Sequence, residues 1–465
     1  MPLLLGRRAY LAALATLWLA ACAGPPADST VPVTKSIPAA AIPTPLARLQ
    51  ALANASTANW PQSFYDAAHT GFNRKETILS PANVSGLQQL WGMSVPGGIT
   101  GFALGRGKIF AQGQGSTNTP NLVAFDAQTG AQLWSIVTGS DGYYLSGTVA
   151  FAKGLVFAGC ALPESGGGHV GGVCAYSEST GQQVWGDGLG CSCSPDGSLA
   201  APLVYSNGVI YVGLAGGYHN RGSSGIYALN ATTGSVLWAD TGIGFGGMAL
   251  AVGGGNVYDN CQGNNFDGIC ALSQSTGAPQ WSYNDVTGVP FHDVTFAGGM
   301  VYVHAQGAQS GGTSTVIALN AATGATQWSF TDSGGGGGGP VAISKGTLYF
   351  TGFKNSLTAL KARTGSMLWS NGGADAFSAP SIANGVLYVT GGAYCGGGCS
   401  NSASAYSTAA GTVLWHAPNY SSTLNPPPLV VDGKLYVGSA STCAPCAFAL
   451  TARQRGVKAL RDSVR

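Results

Sequence analysis

The pattern Ala-x-x-x-x-Thr-Gly-x-x-x-Trp occurs seven times in this chain: Ala124–Trp134, Ala175–Trp185, Ala228–Trp238, Ala271–Trp281, Ala318–Trp328, Ala359–Trp369 and Ala405–Trp415. Only the last copy departs from it, with Ala410 in place of the threonine. Of the ten tryptophans, seven close a repeat and Trp91 lies one interval upstream, leaving only Trp18 and Trp60 outside the series. From Trp91 to Trp415 the spacing averages about 46 residues, the length of one four-stranded propeller blade. Trp91, Trp134, Trp185, Trp238, Trp281, Trp328, Trp369 and Trp415 therefore predict eight blades in one all-β domain, a single eight-bladed β-propeller.

Within each interval the residues read as strand, tight turn, strand, long loop, strand, Thr-Gly turn and strand. Asn207-Gly208, Asn384-Gly385 and Asp432-Gly433 separate apolar runs, and such pairs mark two-residue hairpins because both residues take positive φ cheaply. Val209-Ile210-Tyr211-Val212 and Val386-Leu387-Tyr388-Val389 carry no charge, as expected of strands buried on both faces between neighbouring blades. An indole on the outermost strand would cover a small residue of the adjacent blade. The last unit lacks a tryptophan strand, whereas Asn83 to Trp91 is an outer strand with no blade before it. Pairing the two would close the ring and remove its exposed edges.

Glycine supplies 73 of 465 residues, and charged residues only 8% against 45% hydrophobic, which excludes a charge-rich disordered chain. Lys plus Arg is 20 and Asp plus Glu is 18, so no basic excess exists to neutralise phosphates, and nucleic acid is not an expected partner.

Arg7 and Arg8 precede an apolar run from Ala9 to Ala20, then Leu19-Ala20-Ala21-Cys22. Residues 1–21 read as an export signal too short to span a bilayer, and the cysteine ending resembles the lipobox of bacterial lipoproteins, with Cys22 as the acylated residue. Gly6-Arg7-Arg8-Ala9-Tyr10-Leu11 also resembles a twin-arginine export signal. Residues 22–59 hold Pro25, Pro26, Pro32, Pro38, Pro43 and Pro45 among Ala, Ser and Thr, a tether that would reach on the order of 100 Å if extended. Residues 60–452 are the propeller, and 453–465 form a basic tail. The expected location is the outer membrane, facing the periplasm or the cell surface.

Beyond Cys22 the ten cysteines are even in number, as suits an oxidised exported chain. Sequence-local pairing joins Cys160 to Cys174, Cys261 to Cys270, Cys395 to Cys399 and Cys443 to Cys446 in loops between the second and third strands of a blade. Cys191 and Cys193 pair between blades. Both kinds of loop emerge at one end, which becomes the long-loop face. Cys443-Ala-Pro-Cys446 has metal-ligand spacing but no matching second pair, so no metal site is expected.

The repeat, with Trp60-Pro61-Gln62, His69-Thr70-Gly71-Phe72-Asn73 and Asn83-Val84, resembles the pyrroloquinoline-quinone-type repeat propellers from residue 60 to about 452. That superfamily includes quinoprotein dehydrogenases and a non-enzymatic outer-membrane lipoprotein propeller that scaffolds β-barrel assembly. For the enzymes the resemblance implies pyrroloquinoline quinone (PQQ) with Ca²⁺, a ring of two adjacent cysteines and an Asp base. Here Ser192 separates Cys191 from Cys193, which disfavours that cofactor. Weak candidates for chemistry are His292 and Asp293 as base and orienter, with Tyr144, Phe245, Phe291 and Phe377 lining the funnel mouth. As adjacent strand residues, His292 and Asp293 point to opposite faces. Asp141, Asp187, Asp196, Asp240, Asp285, Asp332 and Asp375 fall between blades as an acidic rim. The expectation is a lipid-anchored binding or scaffold propeller that meets envelope proteins or small ligands on its long-loop face. The alternative is a PQQ-dependent dehydrogenase oxidising an alcohol or sugar.

Mass spectrometry of the mature amino terminus is expected to find Cys22 first and acylated. A Cys22→Ser protein is expected to leave the membrane fraction.

Overall fold

The computed structural model describes residues 59–96, 98–113, 119–139, 148–163, 169–191, 203–214, 225–241, 250–263, 266–284, 291–306, 313–332, 339–352, 356–374, 376, 378–391, 402–417, 426–438 and 446–451. These form eight four-stranded antiparallel sheets, arranged as an eight-bladed β-propeller. Blade 1 comprises Ile99–Gly105, Lys108–Gly113, Leu122–Asp126 and Gln132–Ile136 from the axis outwards. Blades 2 to 7 repeat this order, with innermost strands Ala150–Ala152, Val204–Ser206, Ala251–Gly253, Phe291–Ala297, Ala342–Ser344 and Ser381–Ala383. Blade 8 takes Leu429–Val431, Lys434–Val437 and Cys446–Ala449 from the end of the chain and its outermost strand, Gln88–Gly92, from the beginning. In that junction Gln89 faces Phe448 and Trp91 faces Ala447, so the two ends close the ring as the unpaired termini require. The closing strand is shorter than the sequence suggests, because Val84–Gly86 turns as a 3₁₀ helix before it.

All eight blades join their two inner strands by the same turn. The first turn residues are Arg106, Lys153, Asn207, Gly254, Gly298, Lys345, Asn384 and Asp432, each at positive φ and each followed by a glycine at positive φ. The double positive φ defines the hairpin turn whose twist matches that of its strands. Sequence reading names only the three Asn-Gly and Asp-Gly copies; Arg106, Lys153 and Lys345 are not favoured at positive φ and enter by tertiary constraint, and the other two copies are Gly-Gly pairs in a chain rich in glycine.

The apolar core is divided among the junctions between blades. Phe157 and Val173 of blade 2 pack with Ile210 and Leu229 of blade 3, and Tyr258 and Ile269 of blade 4 with Val301 and Ile317 of blade 5. The largest cluster spans blades 7, 8 and 1, where the closing strand enters.

Each junction is fixed by the repeat. The glycine of the Thr-Gly turn, or of Ala410-Gly411 in the last copy, lies against the indole of the preceding blade, so that a Cβ on Gly181, Gly234, Gly277, Gly324, Gly365 or Gly411 would sit 2.5–2.8 Å from Trp134, Trp185, Trp238, Trp281, Trp328 or Trp369. Each of these indoles donates its Nε1–H to a backbone carbonyl three residues before that glycine, at 3.0–3.2 Å. A tyrosine from the second strand of the same blade reaches that carbonyl at three of these joints, Tyr211 at Gln274, Tyr302 at Ala362 and Tyr349 at Thr408, and Tyr436 of blade 8 reaches the equivalent Ala127 O, where Trp91 lies on Gly130. Trp415 meets no such turn in blade 8 and donates instead to Leu87, beside the closing strand.

Gly277→Ala, at φ +72° and beneath Trp238, is expected to destabilise the protein by about 2–4 kcal/mol, from left-handed backbone strain plus overpacking. Gly255→Ala, at φ +86° with open space around it, is expected to lose about 1–2 kcal/mol, from backbone strain alone. Thermal unfolding of the two variants checks the order.

Candidate functional site at the propeller axis

The innermost strand of a propeller blade has a free edge facing the axis, and its N–H groups need partners. Here the lead-in segment supplies them. Trp60 exchanges both backbone bonds with Leu104 of blade 1. Pro61 O accepts from Phe151 of blade 2, and the buried Gln62 side chain accepts from Tyr205 N of blade 3 at 2.7 Å. Ala67 O then accepts from Val252 of blade 4, Ala68 O from Phe296 of blade 5, Thr70 O from Ile343 of blade 6 and Gly71 O from Ile382 of blade 7. Phe72–Asn73 runs parallel to Ser381–Ala383 of blade 7, and Asn73 Nδ2 donates to Val430 O of blade 8 at 2.7 Å. Every blade is contacted in order at the residue two before its hairpin turn. One short stretch therefore lines the axis at the hairpin end and ties all eight blades to it.

Holding that arc requires unusual backbone: Phe64, Tyr65 and His69 all have positive φ. Asp66 anchors the bend by accepting from Thr70 N at 3.0 Å and Thr70 Oγ1 at 2.6 Å. Burial nevertheless raises the Asp66 pKa, outweighing the Thr70 hydrogen bonds and the charge of Arg74. Gly71 is confined between Pro380 O and Ala342, where a Cβ would fall at 2.9 and 3.0 Å. Past the ring, Glu76 is buried and accepts from Ile78 N, Leu79 N and Gly433 N.

His69 lies at the centre of this segment, 1% exposed, with its ring 4.8 Å from that of Phe64. Among the described residues neither nitrogen closes a hydrogen bond, although the Val294 backbone is near enough to favour the charged form slightly. Burial dominates and pushes its pKa down from 6.5 to about 3, so the imidazole is neutral.

The candidates read from sequence fall elsewhere. Phe291, His292 and Asp293 follow one another on the innermost strand of blade 5, Phe291–Ala297. Asp293 is the single acid on the eight innermost strands. Tyr144, Phe245 and Phe377 lie outside the described residues, as do Asp141, Asp196, Asp285 and Asp375. Asp187, Asp240 and Asp332 belong to outermost strands, not to the connections after them.

Disulfides join Cys160 to Cys174 and Cys261 to Cys270, with Cα atoms 5.8 and 5.6 Å apart. These cysteines stand in paired strands and not in the loops beyond, because Leu155–Pro163 with His169–Ser177, and Asn256–Gly263 with Phe266–Ser273, extend as long hairpins. Cys446 is also disulfide-bonded and begins the strand Cys446–Ala449. Cys191 ends the outermost strand of blade 2, while Cys193, Cys395, Cys399 and Cys443 lie outside the described residues.

The protein family described as "Outer membrane protein assembly factor BamB" matches residues 78–241, 169–291, 222–335 and 312–455, together nearly the whole propeller. The chain belongs to this family. No curated protein sequence matches it. Among solved structures it is similar to a europium-containing methanol dehydrogenase, 13% identical with a TM-score of 0.65 over 87% of this chain and 100% of that one. It is also similar to BamB from Moraxella catarrhalis, 17% identical, TM-score 0.54, over 79% and 98%. The quinohemoprotein alcohol dehydrogenase from Comamonas testosteroni is 17% identical with a TM-score of 0.62, over 86% and 81%. These likenesses show the fold, which BamB-like and quinoprotein-dehydrogenase propellers share. The family and the disulfides together point to an extracytoplasmic protein.

A quinone with Ca²⁺ would need several oxygen ligands and a base converging at the axis. Among the described residues no three His, Cys, Asp or Glu side chains come together, and Asp293 is the one acid on the innermost strands.

A buried neutral histidine makes stability fall as pH drops from about 6.5 towards 3, because only the unfolded chain takes up the proton, at about 1.4 kcal/mol per pH unit. His69→Asn, which tolerates the positive φ, is expected to flatten that part of the acid limb. Urea midpoints measured from pH 7 to pH 4 give the slope directly.

Proposed function

We propose that the protein is a lipid-anchored, non-catalytic propeller of the outer membrane that binds envelope partners, in the manner the family's description as an assembly factor suggests. The observation that carries this reading is the family match across residues 78–455. Two features support it. The axis is occupied at the hairpin end by the chain's own lead-in, and the innermost strands carry one acid where oxidative chemistry would need a converging set. Cys22, on this reading, fixes the chain to the membrane, and the Pro-rich residues 22–59 give the propeller its reach.

The test uses the full anchored chain, cross-linked in membranes and recovered under denaturing conditions. Recovery of outer-membrane β-barrel assembly factors is the expected result, with reduced outer-membrane β-barrel content when the protein is absent. Added PQQ with Ca²⁺ is expected to give no alcohol-dependent dye reduction. A Ca²⁺-dependent melting shift with the quinone, abolished by Asp293→Asn, would instead make this an enzyme; at a hundredfold excess over Kd, binding is worth about 2.7 kcal/mol and is visible in such an experiment.

A further inference from the structure

We propose that the cleft between the lead-in segment and blades 5 to 7 is a binding site for an organic anion, an apolar body that carries a phosphate or carboxylate group. Two adjoining cavities, of about 840 Å³ and about 510 Å³, lie on the hairpin-turn end, on either side of the Lys345-Gly346 turn. The larger is within the range of small-molecule sites, roughly 300–1,000 Å³. It lies on the opposite end of the propeller from the long-loop face and shares no residue with the candidates considered for chemistry.

The cations concentrate there. Arg74 and Lys345 line both cavities, and Arg363, on the Thr-Gly turn of blade 6, lines the larger. All three are exposed, with Lys75 and Lys361 beside them in sequence and also exposed. None of the five closes an ion pair among the described residues, where the recorded pairs are those of Arg106 and Lys108 with Glu178. The nearby acids are already engaged: Glu76, which lines the smaller cavity, by three backbone N–H groups, and Asp66 mainly by Thr70, with a smaller pull from the Arg74 charge. In a chain with few charges and almost no net charge, an unpaired triad around a concavity leaves a positive potential for an anion to neutralise.

The floor supplies the second half of the recognition. Phe72, Ala297, Met300 and Ile343 line the larger cavity, and the Arg74 guanidinium lies 5.8 Å over the Phe72 ring, which holds its charge at the rim. An ion without an apolar part would use the rim alone, and an apolar molecule without charge would leave it unused. The chemistry that uses both is an amphiphilic anion, free in solution or presented as a lipid headgroup.

The probe is phenyl phosphate, titrated by calorimetry into the full-length protein at low salt, with phenol and inorganic phosphate as the separated halves. The expected result is one site, a Kd rising with ionic strength, and binding at least tenfold weaker for each half. Lys345→Asn keeps the turn, because Asn207 and Asn384 hold the same position in blades 3 and 7. Combined with Arg74→Gln and Arg363→Gln it is expected to weaken phenyl phosphate at least tenfold with the melting temperature retained. Arg106→Gln, on the same end but paired with Glu178, is expected to leave binding unchanged. Displacement of the probe by phosphatidylglycerol vesicles, and not by phosphatidylcholine, identifies the anion as a lipid headgroup. Binding unaffected by either vesicle identifies a soluble anion. No saturable binding, or equal affinity in the triple variant and in wild type, would overturn the proposal.

Discussion

An indole lying on a glycine is the contact on which the rest of this structure depends. The joint is narrow, because a Cβ on the glycine would fall 2.5–2.8 Å from the ring, and it is directional, because the indole N–H must meet a carbonyl three residues earlier. Each such hydrogen bond contributes only about 0.5–1.5 kcal/mol net. Repeated around the ring, the joints set where each blade sits against the next, and the apolar clusters between blades fill the space they define. Isolated blades would expose both faces, so the unit of stability is the junction.

A ring of such junctions still has two weak places, the seam and the inner edge. The seam is closed by exchange between chain ends, with Gln88–Gly92 completing the sheet of Cys446–Ala449. Here Trp415 meets no repeat turn and bonds to Leu87, whereas Trp91 still lies on Gly130, where a Cβ would fall 2.7 Å from its ring, although among the described residues Trp91 Nε1 and Tyr388 Oη have no partner. The inner edge is closed by residues 60–73, which bond to all eight innermost strands. That segment accepts three strained positive-φ residues and a neutral buried histidine to do so. Its cost is tolerated because eight blades over-determine its path.

The same segment divides the molecule functionally. At the hairpin end it fills the axis and, with blades 5 to 7, bounds a cationic cleft. At the opposite end, long disulfide-joined hairpins project from blades 2 and 4.

Eight blades and their closure by chain ends follow from the sequence alone, because an eleven-residue motif with an indole at fixed spacing admits few architectures. The local pairing of Cys160 with Cys174 and of Cys261 with Cys270 was legible for the same reason, each pair lying within one hairpin. Trp60 to Asn73 could be recognised as part of the family pattern but not as an axial seal, since its partners lie from Leu104 to Val430 and no periodicity links them. Likewise Arg74, Lys345 and Arg363 are scattered singly along the chain, and neither the burial of His69 nor the anchoring role of Asp66 is marked by any local pattern. Short-range pattern determined the blades because every strand of a blade pairs with a sequence neighbour except at the seam. The cleft and the seal were decided only by tertiary structure, because they arise where one segment meets blades that close into a ring only at the end of the chain.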